Sequence, residues 1–247
     1  MGETMQPARR EAAEELPVED LPAVPLQTFV MIMLAALGGA SAALLILPNW
    51  LPGLGGSLEG SAPQAFWFLS RSSAMAAYWL LWLSMALGLM ITNKLARLWP
   101  GGPVAFDLHQ YATLLGLAFV LFHALILLGD RYIHYTLGSI LLPFASGEYK
   151  PFWVGLGQVG FYLMALVAFS FYLRKRITTR VWRLIHYLSF AVFVLALAHG
   201  VLSGSDSQSA WIRGGYWVSA GLLLFLLIYR ILAGFIDTRS VTARRAT

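Results

Sequence analysis

Six stretches of the chain run without charge, or nearly so, for about twenty residues each. They cover residues 28–47, 74–93, 108–129, 153–173, 184–205 and 214–236. A bilayer core of about 30 Å is crossed by about 20 residues of helix, so the pattern predicts six membrane-spanning helices and an all-α fold. The segments between them read as connections. NWLPGLGGSLEGSAPQ at 49–64 is rich in glycine and proline, WPGGP at 99–103 is a tight turn, and RKRITTRVWR at 174–183 is short and basic. SGSDSQSAW at 203–211 is a second short loop. The 129–152 connection contains ILLPF, which is expected to lie in the membrane interface. The reading divides the chain into a disordered tail over 1–26, a six-helix domain over 27–236 and a short basic tail over 237–247.

Composition agrees. Of 247 residues, 58% are hydrophobic and 12% charged, about half the roughly 25% charged content of a soluble domain. Basic residues give the orientation, because cytoplasmic loops are enriched in lysine and arginine. With the N-terminus cytoplasmic, 13 of the 17 lysines and arginines fall on the inner side. Both termini are then cytoplasmic, and the expected location is a bacterial plasma membrane, with lipid as the first partner. The net charge of +5 is mostly this topology signal and calls for no nucleic acid. The chain has no cysteine, which excludes disulfides, thiolate-held iron–sulfur and zinc sites, and covalent c-type haem attachment. Redox or metal chemistry here has to use histidine.

Four of the five histidines lie inside two spans. His109 and His123 are fourteen residues apart in the third, and His186 and His199 thirteen apart in the fifth. One span intervenes, so the two run in the same direction, placing His109 level with His186 and His123 level with His199. The levels are about 20 Å apart. Neutral imidazole is an axial ligand of haem iron, and polar groups at membrane depth face partners or functional sites. The arrangement matches two stacked haems, with Gly116 midway between His109 and His123 on nearly the same face, where a larger side chain would obstruct a porphyrin. Phe190 and Phe193 follow His186 on one side, as haem contacts or ordinary packing. One geometric point stays open. Thirteen residues turn the second ligand by about 140° on an ideal helix, so either the fifth span is distorted or the haems lie on different sides of it. His134 lies beyond the third span and reads as a surface or interfacial residue. Gly155, Gly157 and Gly160 spell G-x-G-x-x-G, but that motif requires a strand before it, and here it opens a membrane helix.

H-x13-H in the third span and H-x12-H in the fifth, with LSRSSAMAAYWLLWLSMALGL, WRLIHY and LAHG around them, make residues 70–235 resemble the ferric reductase-like transmembrane domain family. The family includes the membrane part of NADPH oxidases, eukaryotic ferric reductases and the haem subunit of the periplasmic methionine sulfoxide reductase system. The resemblance implies a six-helix bundle enclosing two non-covalent b-type haems, His109 and His186 holding the inner, His123 and His199 the outer. It implies electrons moving from a cytoplasmic donor, a separate flavoprotein or quinol, to an outer acceptor, a ferric chelate or partner reductase. Two departures accompany it. No flavin or NAD(P) domain is expected in this chain. Arg71 matches an arginine that flanks the oxygen site of NADPH oxidases, but the position of their accompanying histidine is Leu127. Haem carboxylates call for counter-charges, with Arg183 and Arg180 as candidates at the inner haem, Arg97 and Arg230 behind them, and Arg71 and Arg131 as candidates at the outer. Basic residues at span ends also set topology or snorkel. Two other readings stand: a quinone-linked haem anchor of a partner oxidoreductase, and a transporter whose histidines relay protons or ions.

Overall fold

The structure is a computed structural model that describes residues 23–50, 65–130, 133–147 and 149–245. The tail through residue 22, most of the 49–64 connection and Arg131 lie outside the described residues. Seven helices follow in chain order: α1 Leu26–Trp50, α2 Ala65–Thr92, α3 Gly102–Ile126, α4 Leu137–Leu141, α5 Pro151–Leu173, α6 Thr179–Ser203 and α7 Ala210–Arg245. Among the described residues there is no strand. All but the short α4 are long and apolar enough to cross a membrane, and they coincide with the six expected spans.

The ends of the helices follow local chemistry. Proline opens α3 and α5 in the first turn, where its missing N–H costs nothing and its fixed φ suits a helix. Thr178 caps α6 by accepting from the Val181 N–H, and Thr136 and Ser139 form a reciprocal capping box at α4. α2 starts at Ala65, well before the apolar run at 74. Its first turns carry Ser70, Arg71, Ser72 and Ser73. Ser72 and Ser73 stay inside the helix by donating to the carbonyls of Phe68 and Leu69, which satisfies hydroxyls that water would otherwise serve. At the other end of the chain, α7 runs past the apolar stretch to Arg245.

α2 lies along α3, and α5 along α6; α1 covers α3, and α7 leans on α2. The α2–α3 and α5–α6 pairs meet each other much less closely. Between them Tyr78, Leu81, Met85, Leu117, Met164, Val192 and Phe193 form a core at mid-depth. The outward faces carry large apolar side chains such as Leu34, Leu45, Val194, Trp217 and Phe225 in the open. A water-soluble surface does not expose so continuous an apolar coat, whereas lipid accepts it.

The 129–152 connection folds back against α5. Gln158 donates to the carbonyls of Ser139 and Ile140 and accepts from the Phe144 N–H, and the Tyr162 hydroxyl reaches the Leu141 carbonyl. These bonds serve the last carbonyls of α4, which have no partner within that short helix, and the Phe144 N–H beyond it, as an apolar surrounding requires. Leu141, Leu142 and Phe144 of the ILLPF segment remain exposed.

Candidate cofactor site

The four span histidines come together as two pairs. The His109 and His186 ring centres are 6.1 Å apart, and those of His123 and His199 6.2 Å. Each pair joins α3 to α6 across the slot between the two helix pairs. His109 pairs with His186 at one end of the bundle and His123 with His199 at the other. α6 is helical throughout Thr179–Ser203, so no break removes the 140° offset. From this unbroken helix the His186 ring rests on Trp182 and the His199 ring on the Trp153 carbonyl of α5, and each meets its partner on α3.

The separations discriminate between chemistries. With a ring radius of about 1.1 Å, ring atoms of the two partners come no closer than about 3.9 Å, beyond hydrogen-bond reach. Direct proton exchange between the paired rings is therefore not what the geometry serves. Metal–imidazole bonds of about 2.0 Å would put opposed ring centres about 6.2 Å apart, which is the spacing found. Each pair supplies only two ligands, and among the described residues no group of three or more His, Asp or Glu could hold a metal ion. A bare ion takes four to six donors, whereas each pair offers two imidazoles, the number of protein ligands a haem iron takes. The donor set fits haem iron.

The second layer of contacts prepares the ligands. Nδ1 of His109 lies 2.8 Å from the Ser84 carbonyl, Nδ1 of His123 2.8 Å from the Ser70 carbonyl and Nδ1 of His199 2.9 Å from the Trp153 carbonyl. A carbonyl only accepts, so each Nδ1 carries the proton and leaves the Nε2 lone pair for a metal. Ser70 and Ser84 also bring their hydroxyls within 2.8 and 3.1 Å of the same two nitrogens. The serines are fourteen residues apart on α2, as the histidines are on the antiparallel α3. The identical intervals repeat one local arrangement at both levels; neither serine was predicted from the sequence as a partner of the histidines, although this matching period could have found both. His186 differs: its ring stacks on Trp182, one turn earlier, with centres 5.1 Å apart and planes 23° from parallel.

Glycines let the helices close on the rings. A Cβ at Gly157 would sit 2.6 Å from Nδ1 of His199, and one at Gly155 2.1 Å from the Phe144 ring. Two glycines of the G-x-G-x-x-G run are thus spaces for side chains in a membrane helix. At the His109 level Gly88 faces that ring, and a Cβ there would touch Cε1 at 3.4 Å, an ordinary van der Waals contact. Gly116 is buried, and a Cβ there would meet the Met164 methyl at 3.2 Å and Leu80 at 3.5 Å.

A cleft of about 1680 Å³, counted with its opening to solvent, surrounds the His123–His199 pair. Leu81, Val120, Met164 and Val192 line its deep part, and Arg71, Tyr149 and Asp206 its mouth. Tyr78 and Phe193, with ring centres 5.9 Å apart, lie between the two histidine levels. Arg71 is held in a two-pronged ion pair by Asp206, with Nε donating over 2.6 Å. Asp206 belongs to the 203–211 loop, and nothing in its local sequence marked it as the partner of an arginine on α2. At the same mouth, burial pushes the Tyr135 phenol up to about 12, against a smaller opposing effect of its Ser146 hydrogen bond, so it stays neutral. At the inner end Arg180, Arg183, Arg97 and Arg230 are exposed, and Arg174 is buried against the Phe171 ring at 4.0 Å. His134 is exposed, on a left-handed backbone with φ 56°.

Comparison with protein-family models, with curated proteins and with solved structures returns no match. Function is therefore argued from the geometry of the site. The class it defines is a multi-pass helical membrane protein with two histidine pairs at separate depths.

Proposed function

We propose that the chain is a di-haem b membrane protein that carries electrons across the bilayer. One observation carries the reading: two imidazole pairs span the same slot at 6.1 and 6.2 Å, a spacing that leaves room for one metal and excludes a hydrogen bond. His109 with His186, and His123 with His199, would each hold one haem, which would supply a one-electron carrier suited to electron transfer rather than substrate binding. The chain's own residues position and tune. Backbone carbonyls of Ser70, Ser84 and Trp153 fix three ring tautomers. The buried mid-depth core, with Tyr78 and Phe193, keeps water out of the path between levels.

The resemblance to the ferric reductase-like family supports this reading, as does the concentration of basic residues near the His109–His186 end. Lys175, Arg176, Arg180 and Arg183 form an exposed rim there that would steer an acidic donor protein, with an on-rate falling as salt rises. On this reading electrons enter at that cytoplasmic end from a separate flavoprotein or quinol. They leave near His123 and His199 to a ferric chelate or partner protein. A reduced-minus-oxidised spectrum of the purified protein, with its haem-to-protein ratio, tests the proposal: two low-spin b haems per chain are expected. Folded protein that holds none after expression with ample haem refutes it.

A further inference from the structure

Among the described residues three buried side-chain polar atoms lack a hydrogen-bond partner: Asn93 Oδ1, Trp182 Nε1 and Ser203 Oγ. Burying such an atom unpaired costs about 1–3 kcal/mol, and native proteins seldom leave one without a reason. The two donors among them share a relation to the site. Trp182 precedes His186 by four residues on α6, and Ser203 follows His199 by four. Each lies one helical turn, about 6 Å, from an axial histidine towards the nearer end of the bundle. Trp182 stacks on the His186 ring, and Ser203 lines the cleft with His199.

A haem brings two carboxylates that need donors when the macrocycle is buried. The axis joining each histidine pair crosses the bundle from α3 to α6, so a plane perpendicular to it stands along the helices. One edge of such a plane faces the end of the bundle where the orphan donor sits. Arg71 in the outer cleft is already engaged, since both carboxylate oxygens of Asp206 bind one edge of its guanidinium. At the inner end Arg180 and Arg183 are exposed. An interfacial tryptophan ordinarily turns its N–H towards headgroups and water, whereas that of Trp182 is turned inward.

We propose that Trp182 Nε1–H and Ser203 Oγ–H donate to the carboxylates of the inner and the outer haem respectively, so that each haem directs its carboxylate edge towards the nearer membrane surface. The proposal rests on the di-haem reading. It gives α6 both ligands and both carboxylate donors, at −4 from one histidine and +4 from the other.

The test uses full-length protein loaded with haem carrying ¹³C at its carboxyl carbons, read by redox-difference infrared spectroscopy. Trp182→Phe keeps the stacking and removes the N–H; Ser203→Ala removes one hydroxyl. W182F is expected to shift the carboxylate bands that titrate with the inner haem, and S203A those of the outer. Each should also lose its haem to a scavenger roughly 10- to 100-fold faster, the factor implied by a hydrogen bond to a charged group. Unchanged bands in both variants, with two haems bound, overturn the proposal and leave the di-haem reading standing. A shift in one variant only removes the assignment of the other residue. Should W182F not fold, S203A decides for the outer haem, and the ¹⁵N-labelled indole N–H of the wild type for the inner: an N–H band insensitive to haem binding overturns it. Wild-type protein without haem refutes both readings.

Discussion

Gly157→Ala isolates the outer site with one methyl group. Its Cβ would stand 2.6 Å from Nδ1, 2.8 Å from Cγ and 2.9 Å from Cε1 of His199. Ordinary contact begins near 3.5 Å, so the ring atoms must retreat by about 0.6–0.9 Å. The Nδ1–H bond to the Trp153 carbonyl, 2.9 Å long, originates on the same face of α5 and is lost with that movement. Overpacking of this kind costs about 1–3 kcal/mol, and the hydrogen bond about 0.5–1.5 kcal/mol. Together they weaken outer haem binding by roughly 2–4 kcal/mol, or about 30- to 1,000-fold. Metal ligation tolerates displacements of only about 0.2 Å, so a haem that stays should turn high-spin. The matching inner change, Gly88→Ala, puts its Cβ 3.4 Å from His109 and should be tolerated. The assay is the haem-to-protein ratio with a potentiometric titration: G157A should keep one low-spin component, and G88A two. Two low-spin haems of unchanged potential in G157A would refute the reasoning, because the ring could not have yielded so far and still bound iron.

Other expectations follow from the same geometry. His123→Ala should remove the outer haem and spare the inner, whereas His134→Ala, altering an exposed residue, should keep both; haem quantitation checks the pair. Ser70→Ala removes a hydroxyl 2.8 Å from the His123 Nδ1 but leaves the carbonyl acceptor. The imidazole becomes a weaker electron donor, and the outer haem potential should rise by roughly 40 mV, the one-electron equivalent of about 1 kcal/mol, with the inner potential unmoved. The paired rings cross at 64° and 72°, so both ferric haems should give strongly anisotropic low-spin electron paramagnetic resonance signals. An ordinary rhombic spectrum would show that the rings turn parallel on binding.

Much of this was legible in the chain itself. Apolar runs of about twenty residues have no stable alternative to spanning a membrane as helices, so the six spans needed no tertiary information. The fourteen- and thirteen-residue histidine intervals set two levels, because rise per residue is a property of the helix alone. What lay beyond the sequence were relations between helices. Periodicity could not place Gly157 against His199 or Asp206 against Arg71, since both contacts join positions distant in the chain. The start of α2 was missed because four polar residues hide it, and their satisfaction depends on partners brought by α3, by the 203–211 loop and by α2's own carbonyls. The 13-residue interval left open whether α6 is broken between its histidines, and the folded chain keeps it helical throughout. Local composition decides which segments enter the membrane; the close fit of one helix against another decides where each side chain's donors and acceptors end.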